Sequence, residues 1–336
     1  MQQPLCTGIK HHLSLFKSGI IIRILSITKK MKPAKTISII ELLAEYSTEH
    51  KAVKWLEKIR WDKKPVCPHC GGIENVSKQK SKKHTYWHKD CRKQFTVKTN
   101  TIMHASKIST QKWVVAIYYM LTARKGISSL QLSKELGITQ RSAWYMLQRI
   151  RQACKQGSFK LSNIVEVDET YIGGKEKNKH ANKKLNAGRG AVGKTAVFGM
   201  KERGGKVKAM VINRTNKTTL QGKIHSNIQV KSTVVTDDFR GYLGLKEFTH
   251  KTVNHSAKEF VNGMAHTNGI ESVWAVLKRG YSGTFHNIST KHLNRYVDEF
   301  VFRLNEGNCQ IDTKDRMVSL FKGIGNNRIS YKELTG

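Results

Sequence analysis

Cys67-Pro68-His69-Cys70 and His88-Lys89-Asp90-Cys91 form two short knuckles separated by residues 71–87. Nothing else in the sequence restricts local folding so tightly. Zinc takes four nitrogen or sulfur donors at the corners of a tetrahedron, and two ligand pairs, each spanning two residues, supply them from facing turns. The spacing predicts a zinc ribbon, with His88 standing where a third cysteine is usual. Gly71-Gly72 lets the first knuckle turn. His69 and His84 are alternative fourth ligands. A closed four-ligand site is structural, so this Zn2+ holds a fold and leaves chemistry to other residues. The other cysteines are scattered, Cys154 reads as core, and the pattern points away from a disulfide framework toward a reducing compartment.

The charge is lopsided: 60 Lys+Arg face 24 Asp+Glu, a net +36 over 336 residues. A polyanion is the default partner for such a chain, and nucleic acid comes first. Basic residues crowd residues 78–98 and the segment from Lys175 to Lys217, which opens with a glycine- and lysine-rich loop from Lys175 to Lys194 and reads as a solvated face or a track for DNA. No run reaches the roughly 18 apolar residues of a membrane span. The best candidate, Gly19 to Ile27, carries Arg23 in its middle. No membrane partner is expected, and the setting is cytoplasmic and close to the nucleoid. Residues 1–30 precede Met31 and read as a leader or an over-long start, outside the fold.

Apolar periodicity predicts helices over Thr48–Arg60, Gln111–Thr122, Ser128–Leu136 and Thr139–Cys154. The last two, joined at Gly137, look like a helix-turn-helix. Ala143, Leu147, Ile150 and Cys154 form the inner stripe of the second helix, leaving Gln140, Arg141, Tyr145, Gln148, Arg149 and Gln152 outward for phosphates and base edges. Beyond Gly157 the period shortens. Ile164–Ile172 and Thr233–Asp237 read as strands, and Ala196–Lys201 with Lys206–Asn213 as a hairpin turning at Gly204-Gly205. Helical signal returns at Thr218–Ile224, Gly269–Arg279 and Thr290–Asn305. The organisation expected is multidomain α/β: a leader (1–40), a helix plus zinc ribbon (41–104), a helix-turn-helix region (105–157), a mixed-sheet core (158–310) and a C-terminal tail (311–336). Trp113, Trp144 and Trp274 read as core residues.

Where acids are this scarce, those in ordered contexts stand out. Asp168 lies mid-strand in Val-Glu-Val-Asp-Glu-Thr-Tyr, Asp237 and Asp238 end a second strand, and Glu271 opens a helix in Gly-Ile-Glu-Ser-Val-Trp. Two strand carboxylates and one helix carboxylate are how an RNase H-like mixed sheet gathers two Mg2+ ions for phosphodiester chemistry. Taken singly, each acid is equally readable as a solvated or salt-bridged surface group. His250, His255 and His266 surround the third acid and read as contacts to DNA or water, or as ordinary loop and packing residues.

Val-Asp-Glu-Thr-Tyr-Ile-Gly-Gly-Lys, Gly-Arg-Gly-Ala-Val-Gly-Lys-Thr, Thr-Asp-Asp-Phe-Arg-Gly-Tyr and His-Thr-Asn-Gly-Ile-Glu-Ser-Val-Trp-Ala-Val-Leu-Lys-Arg-Gly follow one another in that order. Together with the ribbon, Arg92-Lys93-Gln94-Phe95 and Lys125-Gly126-Ile127-Ser128-Ser129, they resemble the insertion sequence 1595 family of bacterial transposases (ISXO2-like), related to Merlin elements. The resemblance runs from about residue 40 to Tyr331-Lys332-Glu333-Leu334. It implies an RNase H-like DDE core behind the ribbon and helix-turn-helix, with the catalytic acids at Asp168, Asp237 and Glu271 holding Mg2+ or Mn2+. Lys278, two turns beyond Glu271, matches the family's basic partner of the DNA end. Family members vary at the third acid, so Asn268 is a second candidate there, and Asp238 is the fallback for Asp237. The implied activity is metal-dependent cleavage and strand transfer at terminal inverted repeats, by homo-oligomers on the DNA ends. The competing readings are a DNA-binding regulator with an inactive core and a nuclease that cuts without joining.

Overall fold

Side-chain caps set the starts of most helices. Ser38, Thr48, Ser109, Ser128, Thr139 and Asn216 each accept a first-turn amide through the side chain, satisfying a donor that the helix itself leaves without a partner. The computed structural model describes residues 34–155, 157–174, 180, 182, 184, 191–253, 266–307, 311–325 and 328–336. Expectations that fall on residues 1–33, on most of the basic loop from 175 to 190, and on His255 lie outside the described residues.

The first half is helical and interrupted by a small sheet. Helices α1 (Ile39–Glu45) and α2 (Glu49–Trp61) precede strands β1 (Val76–Lys78), β2 (Tyr86–His88) and β3 (Lys93–Phe95), an antiparallel sheet in sequential order. Helices α3 (Thr110–Thr122), α4 (Ser129–Leu136) and α5 (Gln140–Ala153) follow. Gly137 ends α4 in the left-handed region at φ 57°, where glycine is favoured, and lets α5 turn back against α4.

The second half is a mixed sheet of β4 (Ile164–Ile172), β5 (Thr195–Glu202), β6 (Val207–Ile212), β7 (Thr233–Asp237) and β8 (Thr249–Val253) in the order β6-β5-β4-β7-β8. The β4–β5–β6 meander is antiparallel, whereas β7 and β8 run parallel to β4. Helix α6 (Lys217–Asn227) supplies Leu220 and Ile224 to a core with Val165, Val167, Phe198 and Val234 on one face of the sheet. Helices α7 (Asn268–Gly280) and α8 (Thr290–Glu306) cover the other face with Ile270, Trp274, Leu277, Val297 and Phe300. Because strand side chains alternate, Val165, Val167 and Glu169 point toward α6, and Glu166 and Asp168 toward α7.

The C-terminal stretch read as a tail is part of the helical half. Helix α9 (Thr313–Lys322) places Met317, Leu320 and Phe321 in one core with Leu56, Trp113 and Leu147, and Trp55 packs edge-on against Phe321. The leader expected to extend to residue 40 also ends sooner, since Ile37 is buried in that core. The change near residue 157 therefore separates two cores, but the chain crosses back. Last comes α10 (Tyr331–Thr335), with Leu334 buried.

A buried ion cluster joins the halves. Arg151 of α5 donates to Glu299 of α8 at 2.6 Å, both about fully buried, and the Arg303 guanidinium lies 3.4 Å from the other carboxylate oxygen. Arg151 also lies over the Tyr296 ring at 3.8 Å, and Arg303 donates to the Ala123 carbonyl at 2.6 Å. Removing the one acid would leave two buried cations uncompensated. Glu299→Ala is expected to destabilise the protein by about 3–5 kcal/mol, measurable as a lowered urea midpoint.

Candidate active site and metal centre

The ribbon brings its four expected ligands together. Cys67, Cys70, His88 and Cys91 offer donor atoms that all lie within 4.8 Å of one another. His88 Nδ1 is 3.2 Å from Cys70 Sγ and 3.1 Å from Cys91 Sγ, and the Cys67 and Cys91 sulfurs are 3.6 Å apart. These separations fit a tetrahedron built on Zn–S bonds of about 2.3 Å and a Zn–N bond of about 2.0 Å. The ring's far nitrogen, Nε2, faces Asp90 Oδ2 at 3.2 Å, which orients Nδ1 inward. A Cβ on Gly72 would sit 2.7 Å from the His88 ring, so the first knuckle needs glycine there to admit the second. Burial pushes the Cys67 thiol up, but the amides of His69 and Cys70 and the neighbouring thiols outweigh it and bring it below its usual value. The alternative ligands are elsewhere: His69 Nε2 meets the Gln94 carbonyl, and His84 packs against His50. The cluster is a Cys3His site suited to structural zinc.

Three-residue strands around Cys67, Tyr86 and Phe95, with Trp61 packed edge-on, make too small a core to fold alone. Chelation should therefore unfold the ribbon and leave the five-stranded sheet standing. The check is zinc release together with a fluorescence change from Trp61 and Trp87; Cys91→Ser should purify without the stoichiometric zinc.

In the second half, three acids from three elements approach one another. Asp168 stands on β4 opposite Gly199 of β5. Glu166 pairs with Val235 of β7, so two residues further along the same parallel register brings Asp168 beside Asp237. Glu271 lies in the first turn of α7, where the hydroxyl of Thr267 donates to its carboxylate at 2.9 Å. Burial first, then the Asp237 and Glu271 charges, push Asp168 up to about 6, against the opposing pull of the Glu169 amide and Trp274. Asp238 is exposed, whereas Asp237 is half-buried and its charge is one of those that raise Asp168. Asn268 is exposed at the first position of α7, a turn before Glu271. Lys278 is exposed two turns after Glu271. Among the described residues, the ribbon ligands are the one group of three or more Cys, His, Asp or Glu side chains whose ligand atoms all lie within 4.8 Å of one another.

Several residues around these acids escaped the sequence reading. Trp274, expected to be only core, donates through Nε1 to Asp168 Oδ2 at 2.9 Å. It reaches that position because β5 carries glycine: a Cβ on Gly199 would lie 2.4 Å from the Trp274 ring. Glu169 points to the α6 face, is pushed up to about 7 mainly by burial, and accepts a hydrogen bond from the fully buried Tyr242 in the 3-10 turn after β7. Glu166 is buried among polar partners. The signal for it lay in the strand alternation, which sets Glu166 on the same face as Asp168. His250 pairs with Thr236 at 2.9 Å, and His266 lies 3.4 Å from Glu166.

The outward face expected of α5 is corrected. Gln140 and Arg141 are exposed, but Gln148 and Arg149 are buried. Arg149 donates to the His104 carbonyl at 2.5 Å, between the Trp113 and Tyr145 rings. The C-terminal segment also covers part of this helix. Tyr145 donates to the Ile329 carbonyl at 2.9 Å, and Arg141 donates to the Tyr331 hydroxyl at 3.0 Å. Of the tryptophans read as core, Trp113 and Trp274 are buried, and Trp144 is half-buried against His292.

Comparisons with known proteins place two parts of the chain in one family. Residues 160–305 match the family model described as ISXO2-like transposase domain, and residues 47–94 match the transposase zinc-ribbon domain of the same family. A transposase-like protein of Haemophilus influenzae is 33% identical over 102 residues, 30% of this chain and 81% of that protein. The chain belongs to the IS1595 family of ISXO2-like DDE transposases. This transposase is also 29% identical over 272 residues to a protein in transposable element ISH50 of Halobacterium salinarum, covering 77% of its own length and 91% of the relative's. Among solved structures, a chain of the simian T-cell lymphotropic virus intasome aligns at 15% identity with a TM-score of 0.30, over 59% of this transposase and 71% of that chain. No helix among the described residues is long and apolar enough to cross a membrane.

Because Asp168 ionises at about 6 in the folded chain against 3.8 unperturbed, its charge opposes folding. The penalty is absent below about pH 4, grows toward pH 6 and is complete above it. Asp168→Asn keeps an acceptor for Trp274 and is expected to raise the metal-free melting temperature at pH 7.5 by about 2–4 °C. The gain should vanish near pH 4 in thermal melts recorded across pH 4–8.

Proposed function

We propose that this transposase binds the terminal inverted repeats of its own insertion sequence, cleaves DNA at the element ends and joins the freed 3′-hydroxyl to target DNA. The observation that carries the proposal is the approach of Asp168, Asp237 and Glu271 from a central strand, its parallel neighbour and a packed helix, in a chain of net charge +36. The sheet order, an antiparallel meander continued by two parallel strands, supports an RNase H-like core.

The donor set suits Mg2+ or Mn2+, which prefer carboxylate oxygens, and the Asp237 and Glu271 charges that add to burial in lifting Asp168 are what a divalent cation would relieve. Asp168 and Asp237 would hold the ions jointly, with Glu271 completing the second position. When bound, such a pair of ions activates an oxygen nucleophile and stabilises the leaving oxygen of a phosphodiester. The protein's own groups position the reactants, with no covalent protein intermediate. Lys278 would hold a phosphate or terminal base of the DNA end from the same helix as Glu271. The ribbon and the α4–α5 pair would bind the inverted repeat, with Gln140 and Arg141 as the accessible contacts of α5 and Tyr145 beside them. Arg149 would act from beneath, by fixing the helix. Synapsis of two ends calls for a homo-oligomer on DNA.

Purified protein mixed with labelled inverted-repeat DNA and Mg2+ or Mn2+ should nick at the ends and join them to target. Asp168→Asn and Glu271→Gln should each lower cleavage by about 10²- to 10⁴-fold, with end binding retained. Specific binding without cutting would sink the enzyme reading in favour of a regulator. Cutting without joining would indicate a nuclease, and cutting retained in Asp168→Asn would move the active site elsewhere.

A further inference from the structure

Helix α7 has an unusual beginning. Its capping residue, Thr267, makes no side-chain cap bond to the helix, because its hydroxyl is turned to the Glu271 carboxylate. The amide of Ile270, in the first turn, instead donates to Glu166 Oε2 at 2.9 Å, across 104 residues of sequence. Glu166 is 1% exposed. Its other oxygen takes a hydrogen bond from Arg203 Nε at 2.8 Å and faces His266 Nδ1 at 3.4 Å. Arg203 in turn donates through Nη2 to the His266 carbonyl at 2.9 Å, so the guanidinium holds both the capping acid and the backbone just before α7. A Cβ at Gly269 would lie 2.5 Å from Glu166 Oε2, so the helix approaches this closely only with glycine there.

We propose that Glu166 is a positioning residue for the third catalytic acid: a cap supplied from β4 that fixes the height and rotation of α7, and thereby where Glu271 stands relative to Asp168. The inference rests on the reading of Asp168 and Glu271 as metal-holding acids. Glu166 and Asp168 occupy the same face of one strand, two residues apart. Each anchors the same helix, Glu166 through the Ile270 amide and Asp168 through the Trp274 indole one turn on. A helix held at two points on a strand can neither slide nor rotate freely, and Glu271 lies between those points. Each oxygen of Glu166 already accepts a hydrogen bond, Oε2 from Ile270 and Oε1 from Arg203, so its role is to place a ligand and not to be one. A carboxylate at the positive end of α7 also suits the helix dipole.

Full-length Glu166→Gln and Glu166→Ala, with Asp168→Asn as a control, separate the alternatives. In metal-free protein, hydrogen exchange in the 266–272 segment should speed up in the order wild type, Gln, Ala, with the α8 and ribbon segments unchanged. Cleavage by Glu166→Gln should fall about 10- to 100-fold, as is usual when the support of a metal ligand is removed. The Mg2+ concentration for half-maximal cleavage should rise, and end binding should stay within about twofold. Unchanged exchange, or an unchanged metal midpoint, in folded Glu166→Gln would overturn the proposal. So would a variant dead at every metal concentration, which would make Glu166 a ligand. Should Glu166→Ala not fold, the Gln variant alone decides. Cleavage retained in Asp168→Asn would instead overturn the underlying site, a result that Glu166 variants cannot mimic.

Discussion

The docking of α7 against β4 is the contact on which the proposed catalytic arrangement depends. A strand in the middle of a sheet can bury acidic side chains only where donors meet them, since a desolvated carboxylate without hydrogen bonds is costly. Here one helix supplies a donor to each: the Ile270 amide for Glu166, beside Arg203, and the Trp274 indole for Asp168. In both places a side chain comes closer to the backbone than a Cβ there would allow. Gly199 lies under Trp274 and Gly269 beside Glu166. The same contact that satisfies two strand acids carries Glu271 to the third corner.

Acids are used sparingly elsewhere and for related reasons. Glu299 is held between Arg151 and Arg303 where α5 meets α8, and Glu49 accepts from the amides of Thr110 and Gln111 at the start of α3. In a chain with so many cations, a buried acid is readily paired, and the pairing chooses which helix faces which. The acids proposed to hold metal differ in that Asp237 and Glu271 lie close enough to add to burial in raising Asp168 above its usual range. That mutual repulsion is what suits them, in the proposed reading, to hold a cation, whereas Glu299 is paired with arginine.

Much of the local structure was legible because its causes are local. The knuckle spacing of Cys67, Cys70, His88 and Cys91 confines the four donors within a few ångströms. Thr48, Ser128 and Thr139 cap the helices expected after them, and Gly204 turns the expected hairpin with φ at 68°. The strand and helix contexts expected for Asp168, Asp237 and Glu271 were legible in the same way. Arg149 was misread because helical periodicity says which residues share a face, not how many faces are covered. On α5 a second face is covered by Trp113, His104 and the C-terminal segment. The short, charged stretch around α9 gave no warning that Met317, Leu320 and Phe321 complete a core begun near residue 37.

By itself, then, the sequence determined what neighbouring residues decide among themselves: the zinc knuckles, the helix caps, the alternation of β4 and the excess of positive charge. The tertiary structure decided which distant groups share those local features. It placed the cap of α7 on Glu166 rather than on Thr267, made Trp274 a partner of Asp168, and returned the C-terminus to cover α5. The physical reason is one of range. Spacing and propensity act over a turn or two of chain, whereas the partner of a buried amide or carboxylate is whichever group the packing of distant elements brings within hydrogen-bond reach.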